Sequence, residues 1–214
     1  WDEVIAGMEA AIEKLWCSCT LSKKDKKHCR GPHPAKACGI SHGGGQTHLM
    51  TLRLQSRAND RVFAEFKENR HMKRVAGFGS STFLYYGPKL YECYCRYLSL
   101  LCDHDNGIAD NWNFTNSIFS TTTVNFGPNT VCYNHLDFTN AAARWYTIMS
   151  AGNYDPKRGG HLILFDIKTV VKFPLGSTIL IPSLVMRHSN TPIQKGETLS
   201  GITQYSAGTL FHWV

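Results

Sequence analysis

The pattern of this chain changes near Phe119, and that change limits its possible folds more than any other feature. Before it, apolar residues recur at helical spacing. After it come the short β-branched and apolar runs "FSTTTVNF", "WYTIMSA", "HLILFDI", "TVVKFP", "STILIPS", "VMRHSN", "SGITQYSA" and "TLFHWV", separated by Gly, Pro or Asn. Strands this short and this closely spaced suggest a jelly roll or barrel. Gly159-Gly160 and "PLGS" (174–177) fit tight turns between them. Upstream, "WDEVIAGMEAAIEKLW" sets Val4, Ile5, Met8, Ile12, Leu15 and Trp16 on one helical face, with Asp2 as N-cap. "NDRVFAEFKEN" and "FLYYGPKLYECYCRYLSLLCDHD" read as further helices, the second interrupted at Gly87-Pro88. Cys17 to Gln46 reads as loop. The expected fold is α+β: a double-stranded β-helix (jelly roll) core over residues 119–214, with an N-terminal helical and Cys/His/Lys-rich segment over residues 1–118 packed on it as one unit.

With 214 residues, 43% of them hydrophobic and 18% charged, the chain can bury a single core and is not of disordered type. Its formal charge of +7 is concentrated in "KKDKKHCR" (23–30) and "RHMKR" (70–74). That excess favours a polyanionic partner; the plain alternative is a pair of solvated basic faces. Eight cysteines without an apolar leader point to reduced thiols in an intracellular protein. No apolar run approaches the roughly 20 residues of a membrane span. The chain opens on Trp1 rather than Met, as a trimmed piece of a longer protein would.

The stretch "CYNHLDFTN" (132–140) carries the chemistry. On a strand end, His135 and Asp137 point to the same face, because strand side chains alternate with a period of two. A distant histidine would complete the two-imidazole, one-carboxylate set that holds Fe(II) by one triangular face and leaves its other positions open. His188, in "VMRHSN", lies far enough along for several strands to return the chain beside the first. Among ten histidines an H-x-D pair also arises by chance, as a surface hydrogen bond. Cys17, Cys19, Cys29 and Cys38, interspersed with His28, His33 and His42, raise a structural zinc site, although paired C-x-x-C spacing is absent. Cys93, Cys95 and Cys102 read as core thiols.

The runs "TVNFGPNTVCYNHLDFTN", "GGHLILFDIKTVVKFPLGSTILIPSLVMRHSNTPI" and "ITQYSAGTLFHWV" resemble the catalytic core of the TET/JBP dioxygenases, and "RGPHPAKACGISHGGGQ" and "RVAGFGSSTF" resemble the fungal branch of that family. The resemblance covers most of residues 30–214. It implies Fe(II) held by His135, Asp137 and His188, with 2-oxoglutarate as co-substrate and His161 in contact with it. The implied substrate is double-stranded DNA carrying methylated bases. 5-Methylcytosine would be oxidised to 5-hydroxymethylcytosine and beyond, N6-methyladenine would be demethylated, or both, on a base flipped out of the duplex by a nuclear, monomeric enzyme.

Where the family's arginine binds the far carboxylate of 2-oxoglutarate, this chain has Leu199. Another base should substitute, since a buried carboxylate without a cation is costly. Arg144 is the first candidate and Arg187 the second; the plain alternative leaves Arg144 to solvent or a DNA phosphate. Asn134 and Asn140 are placed to bond a base edge or to brace a ligand. Phe138 and Tyr205, with Tyr133 and Trp145, are the aromatics available for stacking, though strand aromatics are mostly core. Lys23, Lys24, Lys26 and Lys27, followed by "GGGQ", would grip phosphates without regard to sequence. Two rival readings remain open at this point: a protein or small-molecule hydroxylase of the same fold, and a catalytically silent DNA-binding remnant linked to a transposon.

Overall fold

The computed structural model describes residues 1–27, 29–42, 48–137 and 145–212. It opens with α1 (Asp2–Ser18), which buries Met8, Ala11, Ile12 and Leu15 along one stripe. Trp1, and not Asp2, is the N-cap residue, and no side-chain bond closes that end. Asp2 and Glu3 lie instead in the first turn, where their charge meets the positive end of the helix dipole. A four-residue helix, α2 (Lys23–Lys26), follows, closed by a reciprocal Ser22–Asp25 capping box.

The stretch expected to be loop contains a strand, β1 (Ala35–Ser41), and a short β2 (Met50–Thr51) follows it. The alternation in "AKACGIS" is hard to see because the positions that expose less surface are Lys36, Cys38 and Ile40. Lys36 buries its stem and pairs its ammonium with Asp25. Gly39 lies in this strand at φ +106, where an added Cβ would stand 2.2 Å from the Ser120 carbonyl oxygen.

Three long helices come next: α3 (Arg57–Glu68), α4 (Arg70–Tyr86) and α5 (Pro88–His104), then the short α6 (Asn106–Asp110). Asn69 accepts from the backbone N–H groups of His71 and Met72 and so starts α4. Pro88 enters the first turn of α5, which accounts for the break after Gly87. The remaining strands are β3 (Thr121–Asn125), β4 (Tyr146–Asn153), β5 (Leu162–Leu164), β6 (Thr169–Val171), β7 (Thr178–Ile181), β8 (His188–Asn190) and β9 (Thr198–Tyr205).

The strands pair antiparallel into a six-stranded sheet ordered β2-β1-β3-β9-β4-β7 and a three-stranded sheet ordered β6-β5-β8. The N-terminal segment thus contributes strands to the large sheet as well as helices over it. One face of that sheet sends Val124, Ala151 and Ile202 into a core built with Met8, Leu15, Phe63, Phe66 and Met72 from α1, α3 and α4. The alternate residues, Thr123, Asn125, Ile148, Ser150, Gly201 and Thr203, look the other way into a cavity. This is the jelly-roll core with a helical layer that the chain's pattern implied.

Two expected strands are not strands. "TLFHWV" begins instead as a 3-10 turn (Gly208–His212). The ladder between β9 and β3 ends at the Tyr205–Thr121 pair, and Leu210 and Phe211 turn into the aromatic cluster of α5, with Phe211 5.0 Å from Tyr94. The H-x-D stretch is extended chain with a single antiparallel bridge, His135 to His188.

Candidate metal centre

That bridge builds the site. The backbone N–H of His135 donates to the His188 carbonyl and the reverse bond is also made, both at 3.1 Å, so the two imidazoles start side by side and their rings lie 4.2 Å apart. Two residues on, the Asp137 N–H donates to the Ser183 carbonyl at 3.0 Å and keeps its carboxylate on the same side. One donor atom from each of His135, Asp137 and His188 falls within 4.8 Å of the others, the spacing one ion can bridge. A strand pair is not needed for this; one bridge and one backbone bond preserve the period-two geometry.

Both rings are oriented through their far nitrogen. His135 Nδ1 lies 2.7 Å from the Tyr133 carbonyl and His188 Nδ1 2.9 Å from the Met186 carbonyl. A carbonyl only accepts, so Nδ1 carries a proton in each ring, and in the neutral ring Nε2 is left with the lone pair. On His188 that lone pair accepts a bond from the Tyr146 hydroxyl at 2.8 Å. Burial lowers the His188 pKa below its ordinary value; His135 and Arg30 act in the same direction, and the bond to Met186 and the Asp137 carboxylate oppose them. The neutral imidazole that a metal requires is therefore the resting form. Burial also holds the Tyr146 phenol well above its usual range, so it donates as a neutral hydroxyl.

Asp137 is 5% exposed, and Arg30 meets its Oδ1 at 2.7 Å. Two imidazoles and one carboxylate gathered on one side of a cavity suit Fe(II), with coordination positions left toward the open space. The residues present thus fit the ion. The cavity itself measures about 430 Å³ and lies between the two sheets, lined by the triad together with Tyr146, Thr203, Tyr205, Leu162, Phe173 and Leu199. A space of that size takes a small co-substrate beside one flat ring.

The other expected site residues divide. Tyr205 lines the cavity, half-buried, with its hydroxyl accepting from Thr123. Lys24 reaches the rim, and Lys23, Lys26 and Lys27 stand exposed beside it. Asn134 is exposed next to His135. Arg187 points away from the cavity: it makes two side-chain bonds to Asp166, at 2.8 and 3.0 Å, on the surface. His161 turns its Nε2 to the Pro156 carbonyl at 2.9 Å and does not line the cavity, although its neighbours Gly160 and Leu162 do. Phe138, Asn140, Arg144 and the "GGGQ" tract lie outside the described residues, as does His28.

The zinc expectation finds no support among the described residues, where His135, Asp137 and His188 form the sole group of three or more potential ligands. Cys38 is buried and bonds Asn113, while Cys17 is exposed and bonds Glu13. All eight cysteines are free thiols. No helix of the described residues is long and apolar enough to cross a membrane. Arg30 and Tyr146 had not been singled out. Tyr146 was legible in principle, since it shares the inward face of β4 with Ile148 and Ser150; Arg30 carried no local signal beyond its place in a basic run.

No protein-family model and no curated protein matches the chain. Among solved structures it is similar to NgTET1 in complex with 5mC DNA, at 16% identity and a TM-score of 0.58, over 96% of this chain and 68% of that one. It also aligns with an oxidoreductase of the 2OG-Fe(II) oxygenase family from Burkholderia pseudomallei, at 13% identity and a TM-score of 0.43 over 91% of this chain and 76% of that one. A viral collagen prolyl hydroxylase from Paramecium Bursaria Chlorella virus-1, solved as a 2OG complex, aligns at 17% identity and a TM-score of 0.33 over 40% of this chain and 57% of that one. The chain shares the fold of NgTET1, and within that fold it gathers a His-Asp-His triad that fits Fe(II).

Proposed function

We propose that this chain is an Fe(II)- and 2-oxoglutarate-dependent dioxygenase acting on methylated bases of double-stranded DNA, oxidising 5-methylcytosine to 5-hydroxymethylcytosine and beyond, demethylating N6-methyladenine, or both. The observation that carries the reading is the convergence of His135, Asp137 and His188 on one side of a cavity between the sheets. When bound, Fe(II) with 2-oxoglutarate and dioxygen supplies the oxidation of a C–H bond, the co-substrate leaving as succinate and carbon dioxide.

The chain's own residues do the rest. The Tyr133 and Met186 carbonyls hold the two imidazoles in one tautomer and orientation. Asp137 supplies the compensating negative charge. With Asp137 and His188 only 5% and 4% exposed, a methyl stacked inside a duplex cannot approach, so the base must rotate out into the cavity. Tyr205 offers a half-buried aromatic wall there, and Asn134, exposed beside His135, contacts the extruded nucleotide together with Phe138 and Asn140 of the same stretch. Lys23, Lys24, Lys26 and Lys27 stand at or beside the rim, where DNA phosphates would pass. NgTET1, similar in fold, was solved with 5mC DNA, which supports this substrate class by analogy. A nuclear location and a monomeric enzyme belong to the same reading.

Purified protein given Fe(II), 2-oxoglutarate and duplexes carrying either 5-methylcytosine or N6-methyladenine should yield oxidised or demethylated base by mass spectrometry, together with succinate. His135→Ala should abolish both products and keep most of the DNA affinity. DNA binding with no succinate from the unmodified chain would favour a silent remnant; succinate with no DNA affinity would favour a protein or small-molecule hydroxylase.

A further inference from the structure

The cavity that holds the triad contains few fixed charges. Among the described residues its acidic side chains are Asp25 and Asp137, and its basic ones, histidines aside, are Lys24 and Arg30. Asp25 is engaged with Lys36, and Lys24 stands exposed at the rim. Arg30 is placed differently. A guanidinium nitrogen lies 2.7 Å from the carboxylate of Asp137, itself one of the three candidate metal ligands. Its backbone is fixed to the same stretch of chain, because the Tyr133 N–H donates to the Arg30 carbonyl at 2.7 Å. Around Leu162, Phe173 and Leu199 the described lining adds neutral polar groups such as Ser150, Asn190 and Ser200 but no cation.

Resting on the oxygenase reading, we propose that Arg30 binds a carboxylate of 2-oxoglutarate and thereby makes metal and co-substrate bind cooperatively. The physical argument is one of sign. A divalent ion on Asp137 and the guanidinium beside that same carboxylate repel each other, so Arg30 works against metal alone. A dianionic co-substrate brought to the metal reverses the balance, since its carboxylate then has a planar, always-charged fork to accept from. Arg30 therefore weakens metal binding by itself and strengthens binding of the co-substrate once metal is present. A residue that merely held Asp137 in place would move both affinities in the same direction.

The test measures binding, with Mn(II) as the probe metal. Two constants are needed for the wild type, Arg30→Met and Arg30→Lys: the Kd for Mn(II) alone, and the Kd for 2-oxoglutarate on Mn(II)-saturated protein, both by calorimetry. Arg30→Met should raise the 2-oxoglutarate Kd by about 10- to 150-fold, the loss expected for a charge-assisted hydrogen bond, and leave the Mn(II) Kd unchanged or lower. Arg30→Lys should fall between, because it keeps the charge and loses the fork. A 2-oxoglutarate Kd within about twofold of wild type in Arg30→Met overturns the assignment. So does a parallel loss of both affinities, which would make Arg30 a support for Asp137 only. If Arg30→Met shows no cooperative unfolding transition, Arg30→Lys is judged by the same criteria. Wild-type protein that binds Mn(II) but no 2-oxoglutarate defeats the oxygenase reading together with this inference, whereas binding of both by wild type with no effect of either variant defeats this inference alone.

Discussion

Replacing Asp25 with alanine tests how the basic segment at the cavity rim is held. Lys36 projects from β1 with only 5% exposure, and its ammonium meets both Asp25 oxygens at 3.2 Å. Asp25→Ala strands that ammonium, and breaking a buried pair from one side costs about 3–5 kcal/mol. Lys36→Met keeps the alkyl stem and removes the charge. It leaves a carboxylate that still accepts from the Ser22 N–H at 2.9 Å, the Ser22 hydroxyl at 2.7 Å and Gln55 at 3.1 Å, so it should cost only about 0–1 kcal/mol. The two halves of one ion pair are thus expected to differ several-fold. Urea unfolding of the two single variants and the double variant reads this directly, and the double should recover most of the Asp25→Ala loss because the stranded charge is gone. For a chain of this size the Asp25→Ala loss corresponds to a Tm lower by about 6–20 °C. Equal losses in the two single variants, or an Asp25→Ala loss under about 1 kcal/mol, would refute the argument by showing that water reaches the Lys36 ammonium.

Three further outcomes follow from the site. Tyr146→Phe removes the hydroxyl bonded to His188 Nε2, so the metal-free protein should lose about 1 kcal/mol in urea unfolding and bind Mn(II) up to about fivefold more tightly; weaker Mn(II) binding would show that the hydroxyl does not compete for that lone pair. Because the His188 pKa is lowered from 6.5, the unfolded chain holds more protons as pH drops below that value. The contribution of His188 to metal-free stability is therefore complete above pH 6.5 and is lost as pH falls through the lower folded pKa; His188→Gln should flatten that part of the stability profile, and an unchanged slope would contradict the assignment. Burial pushes the Cys132 thiol up to about 11, so iodoacetamide at pH 7.5 should modify exposed Cys29 well before Cys132, with Cys132 labelling rising as pH approaches 11; equal labelling by peptide mass spectrometry would mean that the cavity wall opens.

Much of the architecture was legible in local pattern. The apolar stripe of α1, the helices on either side of Gly87-Pro88 and the short strands after Phe119 each follow from spacing that the chain carries within a few residues. β1 was hidden because its inward-packing positions include a lysine, which becomes tolerable only when Asp25 is brought beside it. The start of "TLFHWV" was misread for the complementary reason: it has strand composition, but the β3–β9 ladder ends at Tyr205, and α5 offers Leu210 and Phe211 an aromatic surface.

The same division runs through the site. Sequence by itself determined the His135–Asp137 half of the donor set, because a two-residue spacing keeps both on one side of any extended chain, and the bridge to His188 supplied the third donor. Tertiary structure alone decided which charges and hydroxyls surround those donors. It turned Arg187 outward to Asp166, drew Arg30 to Asp137 and set the Tyr146 hydroxyl against His188. The reason is one of range: side-chain direction along a strand is a local property of the backbone, whereas the partner of a buried charge is chosen by which distant segments the closed sheets bring within about 3 Å, the reach of a hydrogen bond.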